Sequence, residues 1–599
     1  MKTLQAAFLI LIVQLAFSQA KNQYRISFEN AIHHEAKIQV TFPDIKTDTL
    51  SVRMSRTSPG RYALHEFAKN VYDVVATDGQ GKKINVTRPN PHQWDISNHD
   101  GTVHLSYILF ADRGDGTYSQ IDETHAHLNI PATFMYAPAL KDRAIALTVE
   151  PRGDLNWKVA AQLNDAGNNV YTAPDLQYFM DSPVEISNHT VKEFKVTSNG
   201  AEYIIRLVLH HQGTEEEANT YFENVKKIVL QEEAVFGEYP KFDNGIYTFL
   251  ACYMPQVSGD GMEHRNSTIL TSTRSLANEG MKKNIGTVSH EFFHAWNVER
   301  IRPKTLEPFN FEEANMSGEL WFAEGFTSYY TNLILCRAGI LSQEEYIKGL
   351  TKTFNYVWNS PARAYFNPIE MSYQAPFVDA ATSVDPVNRA NTFISYYSYG
   401  SVLGLALDLS LRSYKNDLNL DDYMKLVWGK YGKTEVPYTK EDLQNTLRQY
   451  AGETFANNFF GKYIDNSQMP DYKTLFSNFG IALLNNTKIP YHGIPITFDN
   501  NQTIVSSYPK KGTPAYAIGL SKDDIILDID GHSFTNKKEL SELLNNYRPG
   551  QEATITYKRF EKEIKTEITF AVNPNFEISL QEKPSKDALA KREHWLKAK

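Results

Sequence analysis

Between residues 22 and 190 apolar and polar positions alternate in short runs, among them Lys37-Ile38-Gln39-Val40-Thr41-Phe42 and Val103-His104-Leu105-Ser106-Tyr107, broken by Gly, Asn, Asp and Pro. A period of two puts successive side chains on opposite faces of a strand, so this stretch predicts a β-sandwich. From about residue 197 a short β-rich part leads into a helix over 215–235. Its start is marked by Thr214 ahead of Glu215-Glu216-Glu217, a hydroxyl and a carboxylate at capping spacing. The pattern then becomes helical around Ile285, Val288, Phe292, Phe293 and Trp296, and Leu-rich helices are expected near 400–412 and 439–450. Strands return after about 485. The chain therefore predicts a multidomain α+β protein divided into residues 1–18, 19–195, 196–484, 485–575 and a highly charged tail over 576–599 that is a solvated helix or disordered.

Within the helical part stands His290-Glu291-Phe292-Phe293-His294. Residues four apart share one face of a helix, so both imidazoles can reach one metal ion, and Glu291 falls beside the open position where a water must lose a proton. A catalytic zinc needs a third protein ligand. The pattern that continues with Gly and a third His is excluded, because the chain has Asn297 and Arg300 at those positions. The other arrangement takes a carboxylate from a later helix. Glu324 is the sole acid in the apolar run Leu320-Trp321-Phe322-Ala323-Glu324-Gly325-Phe326-Thr327, whereas Glu312, Glu313 and Glu319 lie in more polar surroundings. A lone carboxylate in a buried helix demands a cationic partner, which favours Glu324. His290, His294 and Glu324 are thus the candidate ligands of Zn2+. A second imidazole pair, His125-Ala126-His127, is of a kind that packs or hydrogen-bonds more often than it ligates.

These motifs resemble those of the glycyl aminopeptidase family, zinc metallopeptidases of the gluzincin group that carry a PDZ domain near the C-terminus. The resemblance runs through His290 to Asn297 and on to Arg300-Ile301-Arg302-Pro303, through Trp321 to Thr327, Tyr396-Tyr397-Ser398-Tyr399-Gly400, and Gly259 to Ser267. Ser58-Pro59-Gly60-Arg61-Tyr62 with Glu66 to Val71 looks like that family's first domain. It implies an aminopeptidase with a thermolysin-like, α-rich catalytic domain acting on peptide substrates. By this analogy Tyr397, among three crowded tyrosines, would stabilise the oxyanion of the tetrahedral intermediate. Gly261-Met262-Glu263-His264 is similar to the strand that supplies a carboxylate for the substrate's free amine. Glu263 then becomes the amine anchor, with Gly259 and Gly261 allowing close backbone approach. The competing role for Glu263 is a turn salt bridge with Arg265. Asn297, Arg300 and Arg302 lean towards structural roles.

Gly512-Thr513-Pro514-Ala515 with Asp523 to Gly531 resembles the middle of a PDZ domain, whose carboxylate-binding loop would be Tyr491 to Ile496. Pro495 removes a donor there, so capture of a peptide C-terminus and packing against the catalytic domain are both expected roles. Met1-Lys2 followed by an apolar stretch to Phe17 reads as a secretory signal, since its core of about a dozen residues falls short of the ~20 a membrane span needs. Small residues at Ala16 and Ser18 suit cleavage, and the protein is expected to be secreted or periplasmic. A formal charge of −9 without a basic patch argues against nucleic acid as a partner. With only Cys252 and Cys336 present, metal ligation by Cys is not expected, and a disulfide between them is left open.

Overall fold

The architecture comes from a computed structural model that describes residues 20–277, 279–378, 385, 387–415, 418–485 and 487–599. The expected signal segment, residues 1–18, lies outside the described residues. The N-terminal region is β-rich. Asn22–Ser27 lies inside a seven-stranded sheet, parallel to Ile145–Glu150 and antiparallel to Glu35–Phe42. The alternation read in the sequence holds there, with Ala36, Ile38, Val40 and Phe42 buried and Lys37 and Gln39 exposed. A second, four-stranded sheet contains β1 (His125–Leu128) and β2 (Val184–Ser187), antiparallel and paired His125 with Ser187 and His127 with Glu185. All residues of both strands are buried, so neither face of this pair meets water.

A five-stranded sheet follows. Its strands are β3 (Thr190–Ser198), β4 (Ala201–His211), β5 (Ile246–Tyr253), β6 (Asp260–His264) and β7 (Ser267–Thr271), in the order β3-β4-β5-β7-β6. The inner three are parallel and the two edges antiparallel. Parallel strands are covered on both faces. Leu207, Leu209, Phe249 and Ala251 point into the helical core, while Val208 and Leu250 on the opposite face meet Ala160 of the four-stranded sheet. The helical face is covered by α1 (Glu215–Phe236), opened by the expected capping box of Thr214 and Glu217, and by α2 (Glu279–Phe293). Next come α3 (Leu320–Arg337), buried on nearly every side, α4 (Gln343–Trp358), and α5 (Tyr396–Tyr414), which packs along α3. That packing is unusually close, with Gly325 of α3 against Gly400 of α5.

Past residue 480, β8 (Ile481–Asn485) pairs with β10 (Phe576–Leu580), bracketing a five-stranded sheet with its own core. The edge strand of that sheet, β9 (Ile496–Asp499), follows Pro495, whose carbonyl accepts a 2.8 Å hydrogen bond from Ser506. The domain also leans on the helical region: the Lys511 backbone N–H donates to Asn391 at 2.7 Å and its ammonium to the Tyr365 hydroxyl at 2.9 Å.

The tail contains a helix, one of the two expected forms, but the helix is docked rather than merely solvated. It forms β10 and α6 (Lys586–Leu596), and α6 docks on the helical core through fully buried Trp595. The Trp595 indole donates to Tyr329 at 3.0 Å and its carbonyl accepts from Arg337 at 3.1 Å. Most of the charges lie on the outer side of the helix, while Trp595 and Leu596, with buried Arg592 donating to the Gly480 carbonyl at 3.0 Å, anchor the inner side. Both cysteines are buried and free, so no disulfide joins them. Among the described residues no helix is long and apolar enough to cross a membrane.

Candidate active site

His290 lies on the last turn of α2, and His294 directly follows the helix's final residue, so the four-residue spacing still brings both rings to one side. Glu324, one turn into α3, faces them. The Glu324 Oε2 atom is 3.6 Å from His290 Nε2 and 3.2 Å from His294 Nε2, and the two nitrogens are 3.2 Å apart. Donors bound to one tetrahedral zinc at ~2.0–2.2 Å are separated by roughly 3.3–3.5 Å, so these atoms form one face of such a tetrahedron.

The tautomers suit a metal. His294 Nδ1–H donates to the Asn297 carbonyl at 2.6 Å, so Nε2 is the nitrogen turned towards Glu324 and the one a metal would take. The Thr331 hydroxyl donates to Thr327 O at 2.9 Å and so can only accept from His290 Nδ1 at 3.1 Å, which leaves that ring's Nε2 bare. Asn297 is held in turn by its amide, which donates to the Ala323 carbonyl at 3.0 Å and the Thr327 hydroxyl at 3.1 Å. The next residue, Val298, has φ of 119°, a conformation rare for a β-branched side chain. This strained turn carries the carbonyl that orients His294.

Glu291 and Glu263 complete the pocket. One ligand atom each from Glu263, Glu291 and His294 lies within 4.8 Å of the others, and all three residues are buried. Burial pushes the Glu291 carboxyl well up, and neighbouring Glu263 and Glu324 push it further against the pull of His294. Burial opposes a charge on His294, yet Glu324 and Glu263 lift it to about 10. Burial likewise works against ionised Glu324, but the two imidazoles hold it well below the usual carboxylate range. Three carboxylates in a dry pocket with two imidazoles require added positive charge, which a divalent ion supplies. The donor set therefore fits zinc.

Glu263 does not form the alternative salt bridge, because Arg265 pairs with Asp243 at 2.7 Å and with Glu435 at 3.0 Å. Its Oε1 is buried and accepts no hydrogen bond. Gly261, on the same edge strand β6, lies so close to Glu291 that any Cβ would overlap the Glu291 carboxylate. Gly259 lines a cavity with Asp260, Gly261 and Thr287, and a Cβ there would meet nothing of the protein nearer than 3.9 Å, so the space beside it is open to a ligand. Of the three tyrosines, Tyr397 has its ring 5.9 Å from that of His290, Tyr396 packs edge-on against Tyr62, and Tyr399 is buried near Arg363. The other acids are engaged elsewhere, Glu312 with Arg53 and Tyr136 and Glu319 with Ser317. Arg300 is structural, tying the Ala295, Lys241 and Arg265 carbonyls together at 2.8–3.0 Å.

Sequence reasoning missed two contributors. Thr331 lies one turn beyond Thr327 on α3. Tyr62 crosses from the N-terminal region, and its hydroxyl donates to Glu324 Oε1. The signal for Tyr62 was its place in the Ser58-to-Tyr62 motif. Tyr62→Phe is expected to weaken metal affinity about tenfold, read by competition with a chelator, because the second carboxylate oxygen loses its restraint.

Residues 283–403 match the family model described as M61 glycyl aminopeptidase, residues 23–188 match the Peptidase M61 N-terminal domain, and residues 479–570 match a PDZ domain. Among solved structures the chain is similar to an aminopeptidase N family protein from Idiomarina loihiensis (TM-score 0.83, 22% identity), covering 96% of this chain and 100% of that one. Weaker likeness extends to an M1 zinc metallopeptidase from Deinococcus radiodurans (TM-score 0.40, 11% identity, 75% and 94% covered). A similar level is found for Legionella pneumophila aminopeptidase A in complex with aspartic acid (TM-score 0.45, 12% identity, 95% and 60% covered). No match was found among curated proteins.

Proposed function

We propose that the chain, which matches the M61 glycyl aminopeptidase and M61 N-terminal models, is a zinc aminopeptidase removing small N-terminal residues such as Gly or Ala from extracytoplasmic peptides. The observation that carries this is the buried, unpartnered Oε1 of Glu263 beside Glu291 and His294. A carboxylate there has no role in opening a peptide bond in mid-chain, but it pairs with an N-terminal ammonium and so sets the scissile carbonyl one residue in. His290, His294 and Glu324 would hold the zinc, which supplies Lewis acidity towards the scissile carbonyl and acidifies water. Glu291 takes the proton of the attacking water and returns it to the leaving amine. Tyr397, whose ring lies 5.9 Å from that of His290, would donate to the developing oxyanion. The preference for small residues rests on the family's description, and the location rests on the signal-like segment at the N-terminus.

The PDZ domain implies peptide binding. Its loop is partly occupied from within, since the Ile494 N–H donates to His492 Nδ1 at 3.0 Å. Together with the Lys511 contacts, this favours presentation of a peptide along β9 next to the catalytic domain over tight capture of a free C-terminus.

Glycyl- and alanyl-arylamides should be cut by the zinc-loaded enzyme and their N-acetylated forms left intact. Glu263→Gln should lower kcat/KM on the free-amine substrates by roughly 10- to 100-fold, the worth of one charge-assisted hydrogen bond. Cleavage of acetylated substrates at a comparable rate would instead make this an endopeptidase.

A further inference from the structure

A second buried donor cluster lies where the four-stranded sheet of the N-terminal region meets the five-stranded sheet. His210 on β4 and Cys252 on β5 are direct partners in the parallel register. They share the face of Val208 and Leu250, the side turned towards the N-terminal sheet. From that sheet β1 presents His125 and β2 presents Glu185. One atom from each of the four residues lies within 4.8 Å of the rest. The Cys252 Sγ atom is 3.3 Å from His125 Nδ1 and 3.3 Å from His210 Nδ1. Glu185 Oε1 is 3.6 Å from each of the same two nitrogens. At the usual zinc bond lengths, tetrahedral nitrogen, sulfur and oxygen donors are separated by roughly 3.3–3.6 Å.

The side chains around this point turn metal-binding atoms inward. The Gln120 amide nitrogen donates to the Gln256 carbonyl at 3.2 Å, so the oxygen end of that side chain faces His125 Nε2 at 3.1 Å and accepts its N–H. His125 Nδ1 is therefore the nitrogen directed at the cluster. Glu185 Oε1 also points there, buried and without a hydrogen-bond partner. With Cys252 Sγ and His210 Nδ1, four atoms able to bind one metal ion thus converge from four strands. The other carboxylate oxygen is held by His127 Nδ1 at 3.2 Å, and that ring's Nε2 is 2.9 Å from the Asp115 carbonyl, so Glu185 is oriented by a second imidazole in the way ligands commonly are.

We propose that His125, Glu185, His210 and Cys252 form a second, structural zinc site that clamps the N-terminal sheet to the catalytic sheet. Four protein donors leave no open position, which distinguishes it from the three-ligand centre at His290. One thiolate and one carboxylate balance the charge of the ion, so the site can be dry, and the mixed sulfur, nitrogen and oxygen set suits zinc. Binding releases the Cys252 proton to solvent. The clamp also fixes the N-terminal region that carries Tyr62 into the active site. The sequence pointed away from thiolate ligation because two cysteines look too few. Only one is needed, and its three co-ligands come from other strands.

The test is metal content and the Co(II) spectrum of the full chain. Zinc-saturated wild type is expected to hold two zinc ions, Cys252→Ser and His210→Ala one, and Glu324→Gln one. With Co(II), a sulfur-to-metal charge-transfer band should appear in wild type, in Cys336→Ser and in Glu324→Gln, and vanish in Cys252→Ser. Only this site has a sulfur donor, so the band reports on it independently of hydrolysis. If Cys252→Ser does not fold, the band in wild type and Cys336→Ser still decides. One zinc per saturated wild-type chain, or no charge-transfer band, would show that the cluster is a metal-free hydrogen-bonded network and overturn the proposal. Preferential uptake of copper with an intense visible band would overturn the assignment to zinc.

Discussion

Glu291→Gln is expected to reduce kcat on an alanyl-arylamide about 10³-fold, with metal content unchanged. The amide has the size of the carboxylate, so it fits the tight space against the Gly261 backbone, where a Cβ has no room. It cannot take a proton. The loss therefore measures acid–base work and nothing else. Burial raises the Glu291 carboxyl above the usual carboxylate range, which strengthens it as a base for the proton it must hold. Side chains that bind the metal are untouched, so the variant should still hold its zinc by elemental analysis. A fall confined to KM, with kcat preserved, would mean that Glu291 only binds substrate and that the proton is moved by another group.

What the sequence made legible was what lies within a few turns of one helix. His290, Glu291 and His294 are set by spacing alone, and Glu324 stood out because a single acid in an apolar helix has few explanations other than a buried cation. The strand alternation from residue 22 and the capping box at Thr214 are equally local. Contacts that join distant segments were not legible. Tyr62 reaches Glu324 across 262 positions, and the four residues of the second cluster lie on four strands whose register no spacing rule predicts. The tail misled for a related reason. Its composition is dominated by the charges on the outer side of α6, whereas its placement is decided by Trp595. Gly400, noted only as part of a motif, is the glycine on which the packing of the site's second helix depends.

Gly400→Ala should be the most damaging single methyl in the catalytic region. An added Cβ would overlap the Trp321 carbonyl oxygen and come within 2.6 Å of the Gly325 Cα, so it meets backbone on the facing helix and no side chain can rotate away. Overpacking of a core commonly costs about 1–3 kcal/mol, and rigid obstacles put this site at the upper end. Ala gains up to ~1 kcal/mol of helix propensity over Gly, which leaves a net loss of about 2 kcal/mol. Gly349 of α4 provides the control. A Cβ there meets nothing within 4 Å, so Gly349→Ala should raise the melting temperature slightly through propensity alone. The two variants are thus expected to shift Tm in opposite directions. Activity should fall with Gly400→Ala as well. Glu324 precedes Gly325 directly, so moving α3 off α5 displaces the third ligand relative to His290 and His294, and a shift of about 1 Å is enough to cost roughly 10²-fold. Loss of stability with full activity in the surviving folded fraction would show that α3 yields elsewhere along its length and that the glycine contact does not position the metal ligand.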